Sequence, residues 1–433
     1  MTNYFHGKIF KRMKILIKDA QILHHGSPFH QKKKDILINN GKIIKIDNNL
    51  KEEGRLIQGK KLMVSIGWFD MRSNFNDPGN EHKEDILSGG EVAAAGGFTG
   101  VAILPNTKPA LQSKNDIGYV LAKADKCLPA IYPYGSVTVD NKGEEITEML
   151  DQHEAGAVAF TDGEQPLWNT DILLKALLYV KKFNGLVINK PEDKWLNLLG
   201  NMHEGTTSTS LGLKGMPSIA EEIAIERDVR ILEYTGGKLH FSNVSTANAL
   251  KIIKAAKKNL DISCDIAIHQ IAFDDSYLND FDTNYKVNPP FREKKDIKAL
   301  IKGLEDSTID IIVSSHTPHD IECKQLEFDL ADFGILGLQT FYPVLVSTLG
   351  SDSWALYLDK ITLNPRKRLG LPIPVIKEGA AANLTVFDPS ISWVLNNHTN
   401  KSKSINSPFW NKSLLGKVVA TINKNKTYID GQI

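Results

Sequence analysis

The sequence predicts an α/β protein in which a (β/α)8 barrel carries a small β-sandwich domain built from both chain ends. Two observations predict this fold. Short apolar segments alternate with amphipathic helical patterns between about residues 65 and 370, and strand-like segments without such helices occupy both ends. The predicted domains are 14–64 plus 371–433 for the β-sandwich and 65–370 for the barrel, with 1–13 as a tail.

The two ends of the chain are predicted to form strands. Apolar runs at 14–17, 35–38 and 43–46 have strand character, and Asn40 with Gly41 between the last two is a strong hairpin signal. Similar runs follow at 383–388, 416–422 and 426–429. We expect both ends to assemble into one discontinuous β domain.

The middle of the chain supplies eight predicted strands. The first ends near Asp70, and the others follow at 100–104, 130–134, 157–160, 186–189, 238–241, 261–264 and 309–313. Helical patterns such as 220–227 lie between several of them. Eight strands alternating with helices indicate a barrel of parallel strands, which places chemistry at the carboxyl ends of the strands.

Composition narrows the class of protein. The 433 residues are 42% hydrophobic and 24% charged, with a net charge of +1, so global charge implies no nucleic-acid or membrane partner. Three distant cysteines, Cys127, Cys264 and Cys323, show no metal-type spacing and suit a reducing cytoplasm. The tail lacks the apolar region of a secretory signal, so the expected location is cytoplasmic.

Polar residues follow the predicted strands in a pattern that resembles one enzyme family. The stretches that carry the resemblance keep their order and spacing along almost the whole chain. They are 69–79, 83–86, 93–99, 105–109, 159–162, 212–222, 286–292, 332–338 and 406–409. On these motifs the chain resembles dihydroorotase of the amidohydrolase superfamily, in its longer bacterial form.

The resemblance implies a zinc enzyme that interconverts dihydroorotate and carbamoyl aspartate. In that chemistry a metal ion lowers the pKa of bound water and polarises the carbonyl group. Of six ligand or base positions implied by the resemblance, only Asp162 keeps its residue type. The ligand positions otherwise hold Arg72, Asn74, Lys190 (or Asn189, if the register slips by one) and Asn243, and the position of the catalytic aspartate holds Ser315.

The substrate-binding positions implied by the resemblance are altered less. In the resemblance, Asn76 stands where an arginine binds the substrate carboxylate, whereas Asn106, Asn288 and His319 stand at positions that contact substrate.

The altered ligand positions also bear on the cofactor. A guanidinium cannot ligate a metal, because it has no lone pair to give and stays protonated. We therefore expect no cofactor, with zinc only if an atypical metal site exists.

Arg72, Lys190 and Asp162 are expected to form a buried ion-pair network, because an unpaired buried carboxylate is costly. A new metal site at His316 and His319 is a weaker alternative, since a loop histidine more often bonds locally. A nucleophilic role for Ser314 or Ser315 beside His316 lacks an oriented base and an oxyanion hole.

Three functions follow from these residues. The first is a non-catalytic dihydroorotase homologue with a structural or regulatory role in pyrimidine biosynthesis, with aspartate carbamoyltransferase as the partner that the resemblance suggests. The second is a non-catalytic binder. It would hold a ureido acid or cyclic imide through Asn106, Asn288 and His319, or a different small anion with Arg72 and Lys190 as receptors. The third is an active cyclic-amide hydrolase with an atypical metal site. A homodimer is expected from the resemblance alone.

Overall fold

The computed structural model describes residues 14–431, so the predicted tail lies outside the described residues. The strands are β1 Lys14–Leu23, β2 Lys33–Asn39, β3 Lys42–Asp47, β4 Arg55–Ile57, β5 Met63–Ile66, β6 Trp68–Ser73, β7 Phe98–Ile103, β8 Ala130–Pro133, β9 Val187–Asn189, β10 Met202–His203, β11 Gly215–Met216, β12 Lys238–Phe241, β13 Asp261–Ala267, β14 Ile311–Val313, β15 Asn383–Val394, β16 Ser413–Asn423 and β17 Lys426–Ile429.

Helices separate most of the central strands. They are α1 Ile86–Ala95, α2 Lys114–Ala124, α3 Met149–Glu154, α4 Thr170–Lys181, α5 Thr206–Leu211, α6 Ile219–Thr235, α7 Ala247–Ala256, α8 Lys294–Glu305, α9 Phe341–Leu349, α10 Trp354–Ile361 and α11 Leu363–Arg368. Within residues 14–431, no helix combines the length and the apolar character needed to cross a bilayer.

The two chain ends share one eight-stranded sheet, in the order β17-β16-β15-β5-β1-β2-β3 with β4 paired to β1. The predicted hairpin is confirmed, because Asn39 pairs with Lys42 and both Asn40 and Gly41 have positive φ, as a two-residue turn of this hand requires. Antiparallel pairing of β5 with β15 joins the two ends. The sequence prediction missed β4 and β5, and the predicted domain bounds stay a prediction.

The central strands form a curled parallel sheet in two sections, β6-β7-β8 and β9-β12-β13-β14, and every neighbouring pair in them is parallel. Isolated parallel bridges continue the pairing from Gly135 to Phe160, from Phe160 to Val187, and from His316 to Ser73. The predicted strand at 157–160 takes part through the bridges of Phe160 and through backbone hydrogen bonds of Val158 and Ala159 to the end of β8. The carboxyl ends of these strands meet at one edge.

Trp68 packs the curled sheet against the terminal sheet. Its side chain has no exposed surface, and its indole Nε1 donates to Oγ of Ser65 at 3.0 Å. The ring lies 5.2 Å from that of Phe387 on β15 and 5.5 Å from that of Tyr342 on α9. Trp68 is thus a central part of the packing between the two layers.

We expect Trp68→Ala to lower the free energy of unfolding by about 3–5 kcal/mol, because it leaves a cavity between the two sheets. Urea denaturation measures this change. Trp195→Ala is the matched control, since its side chain is 66% exposed and its loss should change stability by at most about 0.5 kcal/mol. Equal effects of the two substitutions would contradict this packing role.

Candidate functional site

Arg72 lies at the carboxyl edge of the curled sheet and is 2% exposed. Its Nη2 contacts Oε2 of Glu164 at 2.9 Å, and its Nη1 donates to Oγ of Ser242 at 3.1 Å. Asn74 donates to the other oxygen of the same carboxylate at 3.0 Å. Burial opposes ionisation of Glu164, but the charges of Arg72 and then Lys190 outweigh it and hold its pKa below the usual range.

Lys190 forms the second buried ion pair at this edge. Its side chain is 4% exposed, and Nζ contacts Oε2 of Glu192 at 2.8 Å. The ammonium also donates to the carbonyl oxygen of Glu164 at 3.2 Å, which links the two pairs. Burial again opposes ionisation, and Lys190 outweighs it, so the pKa of Glu192 is lowered. Arg72 and Lys190 thus each have a carboxylate at this edge.

Asp162 does not join these pairs, so the predicted network is wrong at this residue. One of its oxygens accepts from the backbone amides of Val137 and Thr138 at 3.0 and 2.9 Å, and the other from Oγ1 of Thr138 at 2.5 Å. Burial raises the pKa of Asp162 to about 6 in spite of these bonds. The physical reason is local: the turn after β8 supplies three donors, so the carboxyl group needs no cation.

The next two altered positions bond to each other. Nδ2 of Asn243 donates to Oγ of Ser315 at 3.0 Å, and both residues have positive φ. Oδ1 of Asn243 is buried without a hydrogen-bond partner in the described chain. Ser314 donates to Asp70, and within the described residues neither serine hydroxyl bonds to the ring of His316, whose Nδ1 accepts from the backbone amide of Gly337. A neutral hydrogen bond therefore joins the two positions to which the resemblance assigns a ligand and a base.

The amides at the predicted substrate positions contact protein groups. Asn106 donates to the carbonyl oxygen of Asp162 at 3.0 Å and accepts from the backbone amide of Glu164 at 2.8 Å, so it holds the segment that presents Glu164. Asn288 donates to Glu192 at 3.2 Å, and Asn76 donates to the carbonyl oxygen of Pro318 at 3.2 Å. In this arrangement the three amides support the ion pairs and the surrounding loops.

His319 forms a separate group with Cys323 and Asp332, whose possible ligand atoms lie within 4.8 Å of one another. His316 is not part of it. However, the ammonium of Lys83 lies 3.1 Å from Nδ1 of His319 and 3.4 Å from Oδ2 of Asp332. Burial and then Lys83 lower the pKa of His319 to about 4. A cation of the protein already occupies the space that a metal ion would need.

His269 is a site residue that the sequence prediction missed. It lies just after β13 in the 3₁₀ segment Ile268–Ile271 and is 5% exposed. Burial and then the charge of Arg72 lower its pKa to about 3, so the ring is neutral. Its position after a central strand was the available signal, because side chains at strand carboxyl ends face the site in this class of fold.

A small pocket lies beside Lys190 at this edge. It is lined by Lys190, Glu192, Asn243, Asn288 and Arg292 and has a volume of about 10 Å³. That volume holds about one water molecule. The residues at this edge do not fit zinc, because a metal site needs convergent lone pairs and this one presents a guanidinium and an ammonium instead.

Comparisons with known proteins agree with the resemblance. A family profile described as dihydro-orotase-like matches residues 60–249. A protein named dihydroorotase from Geotalea daltonii is 37% identical over 428 residues, which cover 97% of this chain and 99% of the relative. The chain belongs to the dihydroorotase family. A dihydroorotase from Geobacter metallireducens is 40% identical over 394 residues, covering 90% of this chain and 93% of that protein.

Solved structures of amidohydrolases share the fold of this dihydroorotase-family chain. L-hydantoinase from Arthrobacter aurescens superposes with a TM-score of 0.82 at 21% identity, covering 96% of each chain. D-hydantoinase from Thermus sp. gives a TM-score of 0.80 at 21% identity, covering 96% of this chain and 95% of that one. At this identity the likeness concerns the fold alone.

We expect Glu164→Gln to lower the free energy of unfolding by about 2–4 kcal/mol, because it leaves the Arg72 guanidinium buried without a counter-charge. Urea denaturation measures this loss. Glu233→Gln is the matched control, because its pair with Arg230 is exposed and contributes at most about 1 kcal/mol. In a double-mutant cycle, adding Arg72→Met to Glu164→Gln should restore part of the lost free energy of unfolding. If the effects of the two substitutions simply added, the pairing would be contradicted.

Asp162→Asn should change how stability depends on pH. The folded pKa of Asp162, about 6, lies above its ordinary value of 3.8, so between these pH values the folded state binds more protons than the unfolded state. The stability contributed by Asp162 therefore falls as the pH rises. We expect the free-energy difference between the unchanged chain and D162N to shrink by about 2–3 kcal/mol across this window.

Urea denaturation at several pH values tests this expectation. Thr138→Val is the companion variant, because it removes a hydrogen bond to the carboxylate, keeps Asp162 and should enlarge the fall. A difference that grows as the pH rises would mean that the folded carboxylate is stabilised in its charged form.

Proposed function

We propose that this chain is a non-catalytic member of the dihydroorotase family, in which the curled sheet is the (β/α)8 barrel and its catalytic edge is filled by ion pairs. The observation that supports this most is the pairing of Arg72 with Glu164 and of Lys190 with Glu192. Both cations stand at positions where the resemblance places metal ligands. Each cation forms an ion pair with a neighbouring carboxylate, Glu164 or Glu192.

The chemistry of the family depends on functions that these cations lack. A metal ion generates hydroxide near neutral pH and polarises the scissile carbonyl through a vacant coordination position. A guanidinium and an ammonium donate hydrogen bonds and supply charge, but they do not coordinate water. Their charge is also neutralised by Glu164 and Glu192. The filled edge therefore favours loss of hydrolysis with retention of the fold.

A structural or regulatory role in pyrimidine biosynthesis is consistent with relatives named dihydroorotase. The partner that we propose is aspartate carbamoyltransferase, on the basis of the resemblance. An exposed apolar loop favours a protein partner: Trp195 is 66%, Leu198 51% and Leu199 76% exposed, and Leu199 has positive φ. Asn197 of the same loop lines the small pocket, so the loop borders the filled edge.

The two alternatives have less support. An active hydrolase with an atypical metal site would need His319, Cys323 and Asp332 to expel Lys83. A binder of a ureido acid at the filled edge would need the separation of the two ion pairs, and the small pocket beside Lys190 offers only about 10 Å³.

The first experiment measures zinc content and dihydroorotate hydrolysis of the purified full chain, with and without added Zn²⁺. We expect substoichiometric zinc and no turnover, because the edge presents cations in place of ligands. The dihydroorotase of Geotalea daltonii, assayed in parallel, is the positive control. Turnover that rises with bound zinc would contradict the proposal, and loss of that zinc in Cys323→Ser would locate the metal at His319.

The partner role is tested by co-purification with aspartate carbamoyltransferase. We expect a stable complex that is weakened by Trp195→Ser and Leu198→Ser, because both remove apolar contact area. Tyr234→Ser is the control, since Tyr234 is 80% exposed but lies at the far end of α6 from the residues that contact this loop. No complex with the unchanged chain would overturn the choice of this partner.

A further inference from the structure

A large cleft lies at the edge of the curled sheet opposite to the filled edge. One wall contains residues near the amino ends of central strands, Phe69, Thr99 and Ala130, and the other contains 372–375 and 423–426. Its volume is about 810 Å³. Cavities of about 300–1,000 Å³ hold small organic ligands, so the cleft has the size of a binding site.

Arg366 lines this cleft and is 4% exposed. Its Nη1 donates to the carbonyl oxygen of Thr362 at 2.7 Å, and its Nη2 donates to Oγ1 of Thr99 at 3.1 Å. The guanidinium carbon lies 5.3 Å from the ring centre of Phe69. These contacts fix the plane of the guanidinium and leave other N–H groups of its five for a ligand.

Within residues 14–431, Arg366 forms no ion pair with a carboxylate, whereas Arg368 on the same helix pairs with Asp261. Burial lowers the pKa of Arg366 to about 10, so the group stays charged at neutral pH. A buried charge without a partner is costly to the fold. Arg366 borders an open cleft, so an anion in the cleft could supply the missing counter-charge. This is the arrangement of an anion receptor.

The rest of the cleft defines the ligand further. Apolar walls come from Phe69, Leu121, Ile131 and Pro372. At the rim stand Lys424 and Lys426 beside one carboxylate, Asp125, so the rim carries net positive charge. We propose that this cleft binds a small organic anion, with a carboxylate or phosphate group on Arg366 and an apolar or aromatic body against the walls.

Calorimetric titration of the full chain tests this site, with benzoate, phenyl phosphate and neutral benzamide as probes at millimolar concentration. We expect at least one anion to bind and benzamide to bind at least about tenfold more weakly, because a charged hydrogen bond to guanidinium is lost. The comparison of benzoate with phenyl phosphate tells a carboxylate site from a phosphate site. Equal binding of benzamide, or no binding of either anion, would overturn the proposal.

Two variants assign the binding to Arg366 and its cleft. Arg366→Gln should weaken anion binding at least about tenfold, whereas Lys367→Gln makes the same charge change on the adjacent, exposed residue and should leave it unchanged. If Arg366→Gln fails to fold, Ile373→Glu places a negative charge at an accessible position of the cleft wall, with Ile373→Gln as its neutral control. Binding that survives Arg366→Gln or Ile373→Glu would overturn the proposal.

Discussion

The carboxyl edge of the curled sheet is organised by the need to pair a buried guanidinium. Arg72 cannot lose its proton and cannot reach bulk water, so a carboxylate has to come to it. Glu164 does so, and the surrounding residues hold it there: Asn74 bonds to the carboxylate, and Asn106 bonds to the backbone on both sides of residue 163. Lys190 adds a bond to the carbonyl oxygen of Glu164. These contacts hold the loop that carries Glu164 beside the buried guanidinium.

The pKa values of Asp162 and Glu164, two carboxyl groups in one loop, are shifted in opposite directions. Asp162 turns back towards the amides of Val137 and Thr138, where burial outweighs its hydrogen bonds and raises its pKa. Glu164 extends towards two cations, which outweigh burial and lower its pKa. The difference comes from the direction of each side chain and not from the acid itself, because both groups lie close to the same strand end.

Much of the fold followed from the sequence because hydrophobic patterns are local. The strand at Lys238–Phe241 was predicted to the residue, and the hairpin at Asn40 and Gly41 follows from the backbone conformations that those residues tolerate. β4 and β5 were missed because they are short and because they pair with β1, which lies more than 30 residues earlier in the sequence. The site was also predicted only in part. The sequence showed that Arg72 and Lys190 are cations at strand ends, but it did not show which carboxylates pair with them.

The partner of a buried cation depends on the paths of the loops. Glu164 pairs with Arg72 although 92 positions separate them and no shared sequence pattern links them.

The two edges of the curled sheet differ in how their buried cations are paired. At the carboxyl edge the buried cations Arg72 and Lys190 each have a carboxylate within 3 Å. At the amino edge Arg366 has hydrogen bonds to Thr362 and Thr99 but, among residues 14–431, no counter-charge, and it borders an open cleft. A buried charge with a partner fills a site, whereas one without a partner maintains an electrostatic attraction for an anion that the protein itself does not provide.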